Sequence, residues 1–304
     1  NGFFVSDWLD IERLETLHHI AKDFKEATKL AVSAGIDMHM HGPLFPEKIV
    51  ELVNEGKLSE DRINYACSKI LEAKFKLGLF ENRYVDLNKI ENILFNQKHR
   101  STALETARQG IVLLKNNSIL PLTKTPSKKN KILVTGPNAN NQSILGDWHN
   151  PQPDNNIYTV YEGIKEIGEN IGYSTTFHDS NQNIKRINDF DILKTVEVGK
   201  KHDIIIVVVG DNSMRYKSSE KTAGENMART KLNLAGNQLK LVKELNKLNK
   251  KIIVVYINGK PISEPWISEN IPAIVEGWEP GLMGGIALAE IIFGYINPSG
   301  KLPL

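Results

Sequence analysis

Four continuous apolar runs in the second half of the chain constrain its fold more strongly than any other feature. Each run is rich in β-branched residues, and helical patterns alternate with the runs, notably over residues 237–248 and 286–293. A strand that is apolar along its whole length is buried on both faces, so residues 131–304 are predicted to form a mostly parallel sheet between helices. The four runs are Ile132-Leu133-Val134, Ile204 to Val209, Ile252 to Tyr256 and Ala273-Ile274-Val275.

The N-terminal part of the chain has a different pattern, β-α-β-α. A short strand over residues 3–6 is followed by a predicted helix over roughly 12–33. A second strand, Ile36-Asp37-Met38, is followed by helices that begin near Pro46 and after Ser59. Two such β/α units are too few to close a barrel.

A connection between two domains is predicted for residues 81–130. It contains a weak helix over 86–96 and a better one over 101–109. Residues 123–130 are rich in lysine, serine, threonine and proline, which is typical of a surface linker, and they include the basic pair Lys128-Lys129.

The composition is that of a globular protein with two domains. At 304 residues the chain can bury two cores, and its apolar and charged fractions, 40% and 24%, are ordinary. A net charge of +2 with scattered lysines argues against a nucleic-acid binder, and no apolar run approaches the length of a membrane span. The single cysteine, Cys67, excludes an internal disulfide and is predicted to be a small buried side chain on a helix.

The opening segment, Gly2-Phe3-Phe4-Val5-Ser6-Asp7-Trp8, carries the strongest functional signal. It places a carboxylate and an indole directly after a short β-rich run. Barrel enzymes hold their catalytic groups at the C-terminal ends of strands, and a sugar site needs both an apolar ring face and a nearby charge. The alternative is that Asp7 only caps a turn and that Trp8 only packs at the rim of the barrel.

The opening segment resembles the nucleophile motif of family 3 glycoside hydrolases, the β-glucosidase and exo-β-glucanase family. The resemblance extends over nearly the whole chain, since six further segments follow in the family's order. These are Ala34-Gly35-Ile36-Asp37-Met38, Ile111 to Asn116 with Leu120-Pro121-Leu122, Gly136-Pro137-Asn138-Ala139, Asn258-Gly259-Lys260-Pro261, Trp278-Glu279-Pro280-Gly281 and Asn297 to Pro303.

The resemblance implies an α/β chain in which residues 1–80 are the last units of a (β/α)₈ TIM-like barrel. Residues 81–130 then connect it to an α/β sandwich domain, residues 131–304, that supplies the acid/base loop. The six earlier barrel units are expected upstream, in a preceding segment or a separate chain, together with the natural N-terminus and any signal region.

The activity implied is that of a retaining exo-acting β-glycosidase, in the first place a β-glucosidase, that works through a covalent glycosyl-enzyme. Such enzymes use two carboxyl groups about 5–5.5 Å apart, and Asp7 matches the family's nucleophile. Gly224-Glu225-Asn226-Met227-Ala228-Arg229 resembles the family's Gly-Glu-x-x-Asp-Arg segment, so Glu225 is the expected acid/base. Ala228 departs from the family's aspartate, and Glu220 in the same loop is the alternative.

Three further residues are predicted to bind substrate. Trp8 would stack on a sugar in the leaving-group subsite, Arg229 would orient or pair with Glu225 unless it is simply solvated, and His39 would contact a sugar. Although His39-x-His41 places two imidazoles on one strand face, no further ligand completes a metal set, so no metal and no cofactor is expected. Asp37 is interpreted as structural, and Glu279 as a more remote acid/base candidate.

Two other functions remain open at this point. One is a β-xylosidase or another member of the family, and the other is a non-catalytic carbohydrate-binding fragment, since this chain alone would lack six barrel strands. The expected partners are an oligosaccharide or aryl β-glycoside substrate, the N-terminal barrel segment and a second copy in a homodimer, with no nucleic acid and no membrane span. The family-level expectation for the location is the periplasm or the exterior of the cell.

Overall fold

The computed structural model describes residues 2–126 and 130–303, so the basic pair Lys128-Lys129 lies outside the described residues. The chain divides into two compact units between Ile90 and Glu91. The helices are α1 (Asp10–Thr16), α2 (Phe24–Ser33), α3 (Phe45–Asn54), α4 (Glu60–Lys76), α5 (Ile90–Ile93), α6 (Gln97–Gly110), α7 (Val160–Asn170), α8 (Asp189–Gly199), α9 (Gln238–Asn246), α10 (Pro265–Asn270) and α11 (Gly284–Ile292). The strands are β1 (Val112–Asn116), β2 (Lys131–Thr135), β3 (Ser174–His178), β4 (Ile204–Gly210), β5 (Lys251–Ile257) and β6 (Ala273–Glu276).

The two predicted strands of the first unit run parallel, as consecutive β/α units require, but they are reduced to isolated bridges. Val5 pairs with Met38, and Trp8 pairs with His41. The N–H of Ser6 donates to the carbonyl of Met38 over 3.0 Å. Asp7 therefore lies between two paired residues of its strand.

The single long helix predicted over residues 12–33 is wrong, because α1 and α2 are separate. His19 has a φ of 53°, which ends the helical path between them. The side chain of Asp23 accepts the N–H of Glu26 over 2.8 Å and so begins α2. The apolar periodicity continues across this break, which is why it suggested one helix.

The predicted start of α4 is confirmed, because Ser59 accepts the N–H of Arg62 over 3.2 Å. The apolar residues along this helix are buried only in part. Ala66 is buried, whereas Leu77 is exposed. Cys67 is also exposed, so its predicted burial is wrong: it lies next to Ala66, about 100° around the helix.

The second unit contains a six-stranded sheet in the order β1-β6-β5-β4-β2-β3. Its strands are parallel except for β1, which runs antiparallel to β6, so the predicted mostly parallel sheet is confirmed. The strands β1 and β3 were not predicted as such. β3 is a polar edge strand, and an edge strand needs no continuous apolar run.

Both faces of this sheet are covered, and β4 shows why its sequence is apolar throughout. Ile204, Ile206 and Val208 belong to the core layer that contains residues of α7 and α11. Alternate residues of the same strand, such as Ile205 and Val207, belong to the opposite layer with residues of α9. Within the described ranges, no helix has the length and hydropathy needed to cross a bilayer.

Helices α7 and α11 pack so closely that glycine is required at their contact. A Cβ on Gly163 would lie 2.0 Å from the carbonyl oxygen of Gly285, and backbone atoms cannot move aside as a flexible side chain can. We expect Gly163→Ala to destabilise the protein by about 1–3 kcal/mol or more, measured as a lower denaturation midpoint. Gly110→Ala is the matched helical control, because no atom lies within 4 Å of its added Cβ.

A buried acid at the end of β6 links the stability of this unit to pH. Burial raises the pKa of Glu276 to about 7 from 4.5, against the opposing hydrogen bonds from Trp278 and Asn258. The folded state thus retains a proton that the unfolded chain releases near pH 4.5. This stabilisation is full below pH 4.5, declines from there to about pH 7, and is lost above that.

Glu276→Gln keeps a neutral group at every pH, so the variant should gain stability relative to the native protein between pH 5 and 8. The expected gain in the free energy of unfolding is at most about 3 kcal/mol. Scanning calorimetry across this pH range would measure it. The matched control, Glu269→Gln, changes an exposed glutamate on α10. The control should show no such dependence on pH. If the stability of Glu276→Gln relative to the native protein also does not vary with pH, the prediction is contradicted.

Candidate active site

The polar loops of the second unit gather at one edge of its sheet. Strands β2, β4, β5 and β6 are parallel, so their carboxyl ends lie at the same edge, where α/β proteins bind ligands. Asn138, which follows β2, donates from its amide to the carbonyls of Asp211 (2.9 Å) and Ile257 (3.0 Å). This single side chain therefore joins the ends of β4 and β5.

Asp211, the first residue after β4, is a buried carboxylate that is compensated by two cations. Arg229 lies 3.1 Å and Lys260 3.0 Å from its oxygens, and the hydroxyl of Thr222 donates to it over 2.9 Å. The predicted pairing of Arg229 with Glu225 is replaced by this pair with Asp211. Arg229 thus ties the predicted acid/base loop to the end of β4.

Glu225 lies on the loop between β4 and α9, with its side chain 48% exposed. Its carboxylate forms an ion pair with Arg215, and its backbone N–H donates to Asp147 over 2.6 Å. The guanidinium of Arg215 lies 3.7 Å from the ring centroid of Trp148, which is highly exposed. The structure therefore presents a carboxylate, a guanidinium and an indole together at this surface.

Asp147 is held in its ionised form by its donors. Burial alone would raise its pKa, but the hydrogen bonds from the N–H of Glu225 and from Lys221, with the charges of Lys221 and Arg215, lower the pKa below its ordinary value. The sequence patterns did not predict a role for Asp147, Lys221, Arg215 or Trp148. Gly-Asp-Trp at 146–148 repeats the acid-then-indole order of Asp7-Trp8, which could have drawn attention to it.

The two other acid/base candidates differ in their surroundings. Glu220 ends a 3₁₀ segment, Arg215–Glu220, and is partly buried as a residue; its carboxylate has no hydrogen bond or ion pair with any other described residue. Glu279 accepts a hydrogen bond from the hydroxyl of Ser213. Burial raises the pKa of Glu279, with the nearby charges of Asp147 and Asp211 adding to this effect.

In the first unit, Asp7 and Trp8 both reach solvent at the end of their strand. The carboxylate of Asp7 accepts the N–H of Trp8 over 2.6 Å. The indole is half exposed and stacks on His41 with ring centroids 3.6 Å apart and an interplanar angle of 12°. An acid and a flat apolar surface are therefore adjacent and accessible here.

His39, predicted to contact a sugar, makes contacts within the first unit that favour a packing role. Its side chain is only 5% exposed, its Nε2 lies 3.1 Å from Glu12, and its ring centroid is 4.6 Å from that of Phe45. Asp37 forms an ion pair with Arg62 at 2.9 Å, in line with its structural interpretation. Among the described residues, no three His, Cys, Asp or Glu side chains are grouped as metal ligands.

In comparisons with known proteins, both units match domains of one family. Residues 1–73 match the glycosyl hydrolase family 3 N terminal domain, and residues 111–304 match the glycosyl hydrolase family 3 C-terminal domain. A β-xylosidase of Formosa agariphila is 36% identical over 326 residues, which cover 100% of this chain and 42% of that protein. The periplasmic β-glucosidase of Salmonella typhimurium is 31% identical, covering 100% of this chain and 41% of that protein.

A solved structure of a β-glucosidase from Erythrobacter marinus superposes with a TM-score of 0.83 at 30% identity, covering 99% of this chain and 42% of that one. The chain thus spans less than half the length of the relatives it matches. Since the two family models together match most of its residues, the chain belongs to glycosyl hydrolase family 3.

Proposed function

We propose that the natural protein containing this chain is a retaining exo-acting β-glycosidase, and specifically a β-glucosidase. The observation that carries the proposal is the accessible Asp7-Trp8 pair at the end of a parallel strand, within the part that matches the family's N-terminal domain. A second support comes from the other unit, where the edge of the parallel sheet carries the loop with Glu225 and several other acidic side chains. The names of the relatives, β-glucosidase and β-xylosidase, give the substrate class.

In this proposal Asp7 is the nucleophile and Glu225 the acid/base. The Asp7 carboxylate attacks the anomeric carbon and forms a glycosyl ester, while Glu225 transfers its proton to the leaving oxygen. In the second step Glu225 takes a proton from water, the water oxygen attacks the anomeric carbon, and the bond to Asp7 breaks. Two inversions give net retention, and Trp8 supplies a stacking surface for a sugar ring.

A β-xylosidase is the second candidate, because the relative that is 36% identical carries that name. Xylose differs from glucose only by lacking the hydroxymethyl group at C5, so the two substrates test one contact. Measuring kcat/KM for 4-nitrophenyl β-D-glucoside and β-D-xyloside on the intact natural protein distinguishes them. A preference for the xyloside would reassign the substrate and leave the mechanism in place.

The location and partners are further parts of the proposal. A relative described as periplasmic supports export to the periplasm or the outside of the cell. The upstream barrel segment and the homodimer stay predictions, which the molar mass of the intact protein in solution would test.

The nucleophile can be identified by the anomeric configuration of a rescued product. Asp7→Ala should reduce turnover of an aryl β-glucoside by about 10⁴-fold or more, because no glycosyl ester can form. Added azide should restore turnover and give the α-glucosyl azide, since it attacks once, with inversion. Rescue that yields the β-azide, or near-native turnover without azide, would contradict this role for Asp7.

The acid/base is tested by a matched pair of variants in one loop. Glu225→Ala should reduce kcat by about 10²–10⁴-fold, and azide should restore turnover with the β-glucosyl azide as product, because the covalent intermediate still forms. Glu220→Ala should stay within about threefold of the native rate, as expected for a residue outside the chemistry. The reverse outcome would assign the acid/base to Glu220.

A further inference from the structure

The backbone of Glu225 is held from both sides by one ion pair. Its N–H donates to Asp147 over 2.6 Å, and its carbonyl accepts from the ammonium of Lys221 over 3.1 Å. The same ammonium lies 3.1 and 3.2 Å from the two oxygens of Asp147. The three groups therefore form a closed ring of charge-assisted contacts around a single residue.

Both charged members of this ring are well shielded. The side chains of Lys221 and Asp147 are 7% and 12% exposed, whereas that of Glu225 is 48% exposed. Shielded charge-assisted hydrogen bonds are stronger and more directional than surface ion pairs. The backbone of Glu225 is thus fixed by shielded groups, while its carboxylate stays accessible.

Gly224 shows that the close approach to Asp147 is built into the loop. It has a φ of 91°, and a Cβ at this position would lie 2.6 Å from an oxygen of Asp147. Asp147 also contacts the other side of the loop, since Nε of Arg215 lies 3.3 Å from its Oδ1. Asp147 therefore organises both Glu225 and the cation that pairs with it.

We infer that Asp147 and Lys221 are positioning residues that clamp the peptide of Glu225 and so fix where its carboxylate points. That Asp147 and Lys221 hold this peptide in place is a structural claim, independent of any activity. Its catalytic importance rests on the proposed function, in which Glu225 is the acid/base. Two measurements separate these parts.

The first measurement is hydrogen exchange of the segment that contains Glu225, in the intact natural protein. Asp147→Asn removes the charge with little change of shape, and Lys221→Met keeps the length of the side chain without its ammonium. In both variants we expect exchange over residues 221–229 to rise about tenfold. Asp189→Asn is the control, because Asp189 forms an exposed ion pair with Lys240, between α8 and α9, and has no contact with Asp147, Lys221 or Glu225 among the described hydrogen bonds and ion pairs. Unchanged exchange in both variants would overturn the clamp.

The second measurement is the dependence of rate on the leaving group. An activated 2,4-dinitrophenyl β-glucoside needs no protonation to depart, whereas a methyl or 4-methoxyphenyl β-glucoside does. In Asp147→Asn, kcat/KM for the poor leaving groups should fall about 10²-fold, and for the dinitrophenyl substrate less than about threefold. A general loss of structure would lower both alike, so an equal loss overturns the positioning role.

The outcomes for the two proposals are distinguishable. If the native protein hydrolyses no β-glycoside, the proposed function fails, while hydrogen exchange still decides whether the clamp exists. If the native protein is active and Glu225→Ala shows the leaving-group dependence but Asp147→Asn does not, the proposed function stands and the positioning role is wrong.

Discussion

Burial of the parallel sheet on both faces is the constraint on which the second unit depends. Because apolar layers cover both sides of β4 and β5, polar groups can gather only where the strands end. The carboxyl ends of four parallel strands bring their loops to one edge, and Asn138 and Asp211 fix that edge. The position of Glu225 is thus a consequence of strand direction rather than of its own side chain.

Compensation of buried charge is the second organising principle at this edge. A carboxylate removed from water is tolerated when cations and hydrogen bonds replace its hydration. Asp211 has Arg229 and Lys260, and Asp147 has Lys221 and Arg215. Glu276 has no such cation among its described contacts, and its carboxyl responds with a raised pKa instead.

The sequence predicted those parts of the fold that local patterns encode. The apolar run of β4 and the capping serine of α4 specify their own conformations, and the structure contains both. The polar edge strand β3 carries no comparable signal. The break before α2 was readable from Asp23, three residues before Glu26, but the continuing apolar periodicity obscured it.

Only those residues of the candidate site that lie within sequence motifs could be predicted. Asp7 and Glu225 stand in recognisable segments, whereas the hydrogen bond of Glu225 to Asp147 is a tertiary contact over 78 residues of sequence separation. Arg229 shows that a residue within a motif can still have a partner that the motif does not predict. It lies within the motif, but it forms an ion pair with the buried carboxylate of Asp211 and not with Glu225.

The antiparallel strand β1 has a consequence for how the second unit could be produced alone. β1 pairs with β6 along the edge of the sheet, and α6 is attached to α11 through the ion pair of Arg108 with Glu290. A recombinant fragment that begins at the linker, near residue 131, would leave the hydrogen-bonding groups of β6 open to other molecules. Such a truncation would invite edge-to-edge aggregation, so expression boundaries should precede α6.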